Sequence, residues 1–242
     1  DLAGFRKHSK SEGTVLNGKF GLQINPSDRL NISIDVNSNS HVLITTPAAG
    51  KFYRSSGLVA KQQQVIKVAP KGNLEWLPSE NILFSGAKAR IKTKIELSRG
   101  SHFLGWEISC LGRPASNETF GQGELDQRFE VWLEGRPLRI ERLKLKGGDP
   151  ILKAKWGMLE FPVIGSMVCV TEKPGLVDSL RKIDDVSIDQ ELFSATQMKG
   201  AILCYFLGNS VERARKYFVS AWKILRQEVI GHEALEPRIW RT

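Results

Sequence analysis

In residues 72–114 apolar positions alternate with polar ones in short runs: Leu74 and Trp76; Ile91, Thr93, Ile95 and Leu97; Leu104, Trp106, Ile108 and Cys110. A period of two is that of a half-buried strand, whose successive side chains point to opposite faces. Pro78, Ser85-Gly86, Ser98-Arg99-Gly100 and Gly112 separate the runs; glycine reaches positive φ and proline fixes its own, so these are corners. The unit recurs upstream. Aligning Val36, Val68 and Leu97 gives offsets of 32 and 29 residues, and each unit is an apolar strand, a short polar turn and a second apolar strand. A repeat of this period predicts stacked β layers in which each unit buries its apolar face on its neighbours; two antiparallel sheets of hairpins are the alternative.

The predicted fold class is mainly β, with stacked, solenoid-like sheets and a smaller α+β C-terminal part containing two helices. Residues 1–149 form the layered region and residues 150–242 the part packed on it. The boundary falls at Lys146-Gly147-Gly148-Asp149-Pro150, a charged glycine pair ending in Asp-Pro, where the repeat stops. Before it, residues 129–133 and 138–145 read as a hairpin around residues 134–137. The first twenty residues predict a strand or two around the Ser11-Glu12-Gly13 turn. Beyond the boundary, residues 158–171 and 194–207 read as strands and residues 174–183 as a short helix. Asn209 and Glu212 predict a capping box. Val211, Ala214, Phe218, Ala221, Trp222, Leu225 and Val229 follow at helical spacing, with Gly231 beyond the end. The opposite face carries Arg213, Arg215, Lys216, Lys223 and Arg226.

The chain has 242 residues and no run of 18 apolar ones, which predicts a protein that does not enter a membrane. It opens at Asp1 without a methionine, as a processed form would, and has no basic-then-apolar leader. Cys110, Cys169 and Cys204 each lie in an apolar run, so they read as small buried hydrophobes of a cytoplasmic protein. The charge of +9 changes the picture because of where it sits. Residues 136–155 hold Arg136, Arg139, Arg142, Lys144, Lys146, Lys153 and Lys155 against Glu141 and Asp149. For single residues this is a solvated strand face; as a cluster it reads as a docking surface. No aromatic interleaves it, as a single-strand nucleic-acid binder would require, so an acidic protein partner is favoured over nucleic acid.

Catalytic signatures are missing. His8, His41, His102 and His232 are scattered, and there is no Cys-x-x-Cys, no G-x-S-x-G, no S-x-x-K and no dinucleotide turn. Gly50-Lys51 near Ser55-Ser56-Gly57 lacks the glycine spacing of a phosphate loop and reads as a turn with exposed Lys51 and Arg54.

Residues 47–57 (PAAGKFYRSSG), 74–78 (LEWLP), 104–114 (LGWEISCLGRP), 130–143 (EVWLEGRPLRIERL) and 237–242 (PRIWRT) closely resemble the urease accessory protein family called UreD or UreH. The resemblance implies a non-catalytic maturation chaperone with a layered β fold. It implies as partners apo-urease, a helical accessory protein of the UreF type and, through that, a UreG-type GTPase that brings nickel. No tightly bound cofactor is implied, only nickel in transit. Where family members carry Pro-Gly-Gly and then Gly-Gly-Asp, this chain has Asn25-Pro26-Ser27-Asp28, which is read as a loss of residues between Ile24 and Asp28; only Asp28 carries over.

An ion in transit needs oxygen or imidazole ligands that hold it weakly, so scattered inward carboxylates suit it better than a closed thiolate site. Glu107 shares a strand face with Phe103 and Leu111, and Glu141 shares one with Leu143 and Leu145. If those faces point inward, each carboxylate either pairs with an arginine such as Arg113 or Arg139, the preferred reading, or lines a wet cavity. Asp28, Glu107 and Glu141 are therefore the candidate nickel-transit residues. Arg136, Lys144, Lys146, Lys153 and Lys155 are the candidate partner-binding residues.

Overall fold

The computed structural model describes residues 14–17, 23–183 and 191–241. The Ser11-Glu12-Gly13 turn lies outside them. The strands are β1 (Thr14–Asn17), β2 (Gln23–Ile24), β3 (Arg29–Val36), β4 (His41–Thr45), β5 (Gly50–Phe52), β6 (Ala60–Val68), β7 (Asn73–Leu77), β8 (Asn81–Leu83), β9 (Lys88–Leu97), β10 (His102–Arg113), β11 (Glu118–Thr119), β12 (Glu124–Leu133) and β13 (Arg136–Lys146). They are followed by β14 (Val163–Val170), α1 (Leu176–Arg181), β15 (Leu192–Met198), β16 (Ala201–Gly208) and α2 (Val211–Leu225).

The sequence repeat is the pairing register. β3, β6, β9 and β12 form a parallel ladder in which Val36 sits opposite Val68, Val68 opposite Leu97, and Leu97 opposite Leu133. Adjacent parallel strands need a crossover. Here the crossover is the rung of a second sheet, where β4, β7 and the first half of β10 pair in parallel. β5 and β8 continue those rungs, and β8 pairs with the far half of β10, which runs unbroken where the first two rungs are broken. Residues 50–52, read above as part of a turn, thus belong to a strand, with Phe52 buried and Lys51 exposed.

The layers end where direction reverses. β13 pairs antiparallel with β12 through Glu134 and Gly135, both at positive φ (49° and 72°), as a tight hairpin turn of this kind requires. On the second sheet β14, β16 and β15 add antiparallel to β10. The three cysteines are free and buried, and burial raises their thiol pKa, to about 12 for Cys110 and Cys204.

α2 covers the outer face of this second sheet, with Ala214, Phe218, Ala221, Trp222 and Leu225 buried. Its N-cap is Ser210 rather than Asn209: the Ser210 hydroxyl accepts the Arg213 amide at 3.2 Å, one residue later than the capping box predicted. The basic face of α2 is also less free than expected. Arg213 is bonded to Glu191, Arg215 lies 4.9 Å from the Trp240 ring centre, and Arg226 is bonded to Glu75. The following segment returns over the helix, and Trp240 packs 5.9 Å from Trp106 and 5.7 Å from Trp222 while donating to the Thr45 hydroxyl.

Candidate functional site

Along β6, β9, β10, β12 and β14 the inward positions are apolar at both ends and polar in the middle. On β9, Ala89 and Ile91 belong to one apolar cluster, Ile95 and Leu97 to another, and Thr93 lies between. β12 repeats this with Leu125, then Gln127, then Phe129 and Val131. Gln64 on β6, Glu107 and Ser109 on β10 and Ser166 on β14 likewise lie between the two clusters, and Glu141 on β13 stands opposite Phe129 at their border. The space between the sheets is thus two apolar cores parted by a polar layer. Hydrogen-bonding groups taken from water must find partners, so the layer is organised by its own bonds.

Glu107 is its centre and is 5% exposed. Gln127 Nε2 donates to Glu107 Oε2 at 2.7 Å, and Ser109 donates to Gln127 Oε1 at 2.6 Å. The Thr93 hydroxyl lies within bonding distance of both Glu107 Oε1 and Gln64 Oε1. One hydroxyl proton cannot serve two acceptor oxygens, so with the Gln64 oxygen turned toward Thr93 both bonds form when Glu107 itself carries a proton. Burial, aided by the nearby Glu141 charge, raises the Glu107 pKa to about 7 against the lowering effect of the Thr93 and Gln127 bonds.

Glu107 and Glu141 both line a cavity of about 20 Å³, together with Ser109, Gln127, Ser166 and apolar neighbours. That is room for about one water or one ion. Glu141 is paired as expected, 3.4 Å from Arg139 and 3.3 Å from the Tyr205 hydroxyl. The arginine expected for Glu107 is not there. Arg113 pairs with Glu118 instead, at the exposed end of β10, because a residue six places along the strand lies about 20 Å away. Asp28 stands apart from the cavity, exposed in a turn where its carboxylate accepts the Asn25 amide at 2.8 Å.

The basic residues divide. Lys144 and Lys146 project outward from the end of β13, and Lys153 and Lys155 are exposed in the loop that follows. Arg136 begins β13, about 30 Å from Lys146 at the usual rise per residue, so it belongs to a different part of the surface.

Sequence reasoning missed Gln64, Thr93 and Gln127, although each sits at an inward position of an otherwise apolar alternation. It also missed Glu75, which is fully buried on the outer face of the second sheet. Its carboxylate accepts from Trp222 Nε1 at 2.5 Å and Arg226 Nε at 3.0 Å, and lies 2.6 Å from His41 Nε2. Trp222 and Arg226 are four apart on one helix face, which brings both to the same group. His41 in turn stacks on His232, ring centres 5.4 Å apart.

A family model described as "UreD urease accessory protein" matches residues 24–241. The chain is 40% identical over 220 residues to the urease accessory protein UreD of Dechloromonas aromatica (strain RCB), covering 89% of this chain and 76% of that one. The corresponding proteins of Nostoc sp. (strain PCC 7120) and Enterobacter sp. (strain 638) are 39% and 40% identical over 215 residues, covering 77% and 76% of their lengths. Among the described residues no helix is long and apolar enough to cross a membrane.

Proposed function

We propose, from the premise that this chain belongs to the UreD urease accessory protein family, that it is a non-catalytic maturation chaperone. In this reading it holds apo-urease together with UreF-type and UreG-type partners, and nickel bound for the urease site passes through it as cargo. The observation that carries the nickel reading is the shared cavity of Glu107 and Glu141 inside the polar layer. Glu141, and Glu107 once an arriving ion displaces its proton, offer a borderline divalent ion carboxylate ligands with serine hydroxyls beside them in a space of one-ion size. A site of this kind takes an ion and lets it go.

The chaperone reading is tested by capture from urease-producing cells: recovery of no urease or accessory subunit sinks it. The nickel reading is tested by Glu107→Ala, Glu141→Ala and Asp28→Ala, with complex formation and urease activation measured separately. Loss of a ligand should reduce activation on the order of tenfold for Glu107 and Glu141 with complexes intact. Asp28, which is outside the cavity, is expected to matter less. Full activation in all three variants ends the idea.

Docking is expected to use Lys144 and Lys146, whose charges stand on an outward strand face. Lys144→Glu with Lys146→Glu should slow association with the captured partner by roughly tenfold at low salt and flatten its salt dependence. An unchanged on-rate rejects this.

A further inference from the structure

Trp156 is 80% exposed, the most exposed large apolar side chain among the described residues. Its position is firmly built. The loop of residues 149–162 opens with Asp149 accepting the Ile151 amide at 3.1 Å and folds back on itself through Met158 N–H to Ile151 O, Leu159 N–H to Ala154 O and Glu160 N–H to Leu152 O. Met158 and Phe161 are buried and fasten it to the body. A side chain at Gly157 would meet the Ile151 carbonyl at 2.2 Å, so the backbone beside the tryptophan is pressed onto the other limb of the loop. Leu159 and Glu160 both hold left-handed φ (53° and 65°), a conformation that a Cβ disfavours by crowding the following carbonyl. A strained, internally bonded loop thus displays a large aromatic side chain to water.

Folding gains nothing from that display, whereas binding does. Tryptophan is enriched among residues that dominate interface energies, and a preset loop spares the entropy of ordering it. Lys153 and Lys155 precede it by three and one positions and are exposed; among the described residues Lys153 meets the exposed Glu160, at 3.6 Å, a weak tie. Lys146 lies just before the loop. The residue that anchors the basic surface therefore stands one position beyond the charge cluster itself.

We propose that Trp156 is the anchor of a docking surface, inserting into an apolar pocket on an acidic protein while Lys153 and Lys155 meet carboxylates on its rim. The partner is a protein rather than a nucleic acid because stacking platforms present successive aromatics, and this loop presents one. The proposal deepens the docking reading above and rests on it.

The test uses the full chain, co-expressed with the structural and accessory proteins of a urease gene cluster, as wild type, W156A, W156F and the double variant K153E/K155E. Affinity for each captured protein, its salt dependence and the thermal midpoint are measured. W156A should weaken one captured protein by about thirtyfold with an unchanged midpoint, W156F should restore most of that, and K153E/K155E should bind weakly with a flattened salt response. The proposal is overturned alone if wild type captures its partners and W156A binds all of them within about twofold of wild type. It is also overturned if W156A loses binding only in proportion to a lowered midpoint while K153E/K155E binds normally, which marks a structural residue. Oligothymidylate bound by wild type and lost in W156A would replace the protein partner with nucleic acid. Wild type that captures nothing overturns the chaperone reading and this proposal together.

Discussion

Replacing Glu75 with alanine is expected to lower stability by about 3–5 kcal/mol, the range for breaking a buried ion pair by deleting one partner. The carboxylate is fully buried, and its loss leaves the Arg226 guanidinium, 14% exposed, with the Glu233 carbonyl and the Trp222 ring beside it but without its buried counter-charge. Leu43 and Leu104 sit opposite Glu75 on the two neighbouring strands, so no other carboxylate stands ready to replace it. In a chain of this size the melting temperature should fall by roughly 6–20 °C. Burial alone would favour the neutral form of Glu75. The bonds from His41 and Trp222, with the Arg226 charge, outweigh it and hold the pKa below the ordinary 4.5. A lowered folded-state value means stability present above pH 4.5 and lost as pH falls through the folded value. The wild type should therefore show an acid limb that Glu75→Ala lacks. A loss under about 1 kcal/mol would show the pair contributes little beyond a surface bridge.

Glu107→Gln should act with the opposite sign. Glu107 is raised to about 7, above the 4.5 of an unfolded chain. Its contribution is fully present below pH 4.5 and is lost as pH rises through 7, because only the folded state then retains the proton. Wild-type stability should fall by about 3 kcal/mol across that interval, at 1.36 kcal/mol per unit. Glutamine offers Thr93 and Gln127 a neutral group of the same shape. Urea unfolding at pH 5 and pH 8 should show Glu107→Gln losing that slope and exceeding wild type at the higher pH. Parallel pH profiles for the two proteins would mean Glu107 is ionised throughout.

The sequence revealed the layered fold because a solenoid writes its geometry into spacing. One turn of the coil returns the chain to the same level, so the offsets aligning Val36, Val68 and Leu97 are the offsets at which those residues pair. Parity also located Glu107 and Glu141 on inward faces. What parity could not supply was the other wall. Glu75 alternates with Leu74 and Trp76 and so reads as solvent-facing, yet its face is covered by a helix whose contacts lie 147 and 151 residues away. The pairing expected between Glu107 and an arginine failed for a related reason. Whether a buried acid is neutralised by a cation or by a proton depends on neighbours from other strands, here Thr93 and Gln127. Trp156 carries no charge and stands one residue past the basic run, so neither charge patterning nor apolar alternation marks it.

The ladder also sets a timetable for synthesis. Each new rung finds its neighbour only 32 or 29 residues back, so β3, β6 and β9 can be laid down as they emerge. The outer face of the second sheet has no cover until α2 is made, and an apolar sheet face left bare in a nascent chain invites aggregation. Through that interval Glu75 stands between Leu43 and Leu104 as a hydrated charge, the kind of gatekeeper that keeps apolar strands from joining another chain. When Trp222 and Arg226 arrive, the same carboxylate changes from guard to clasp.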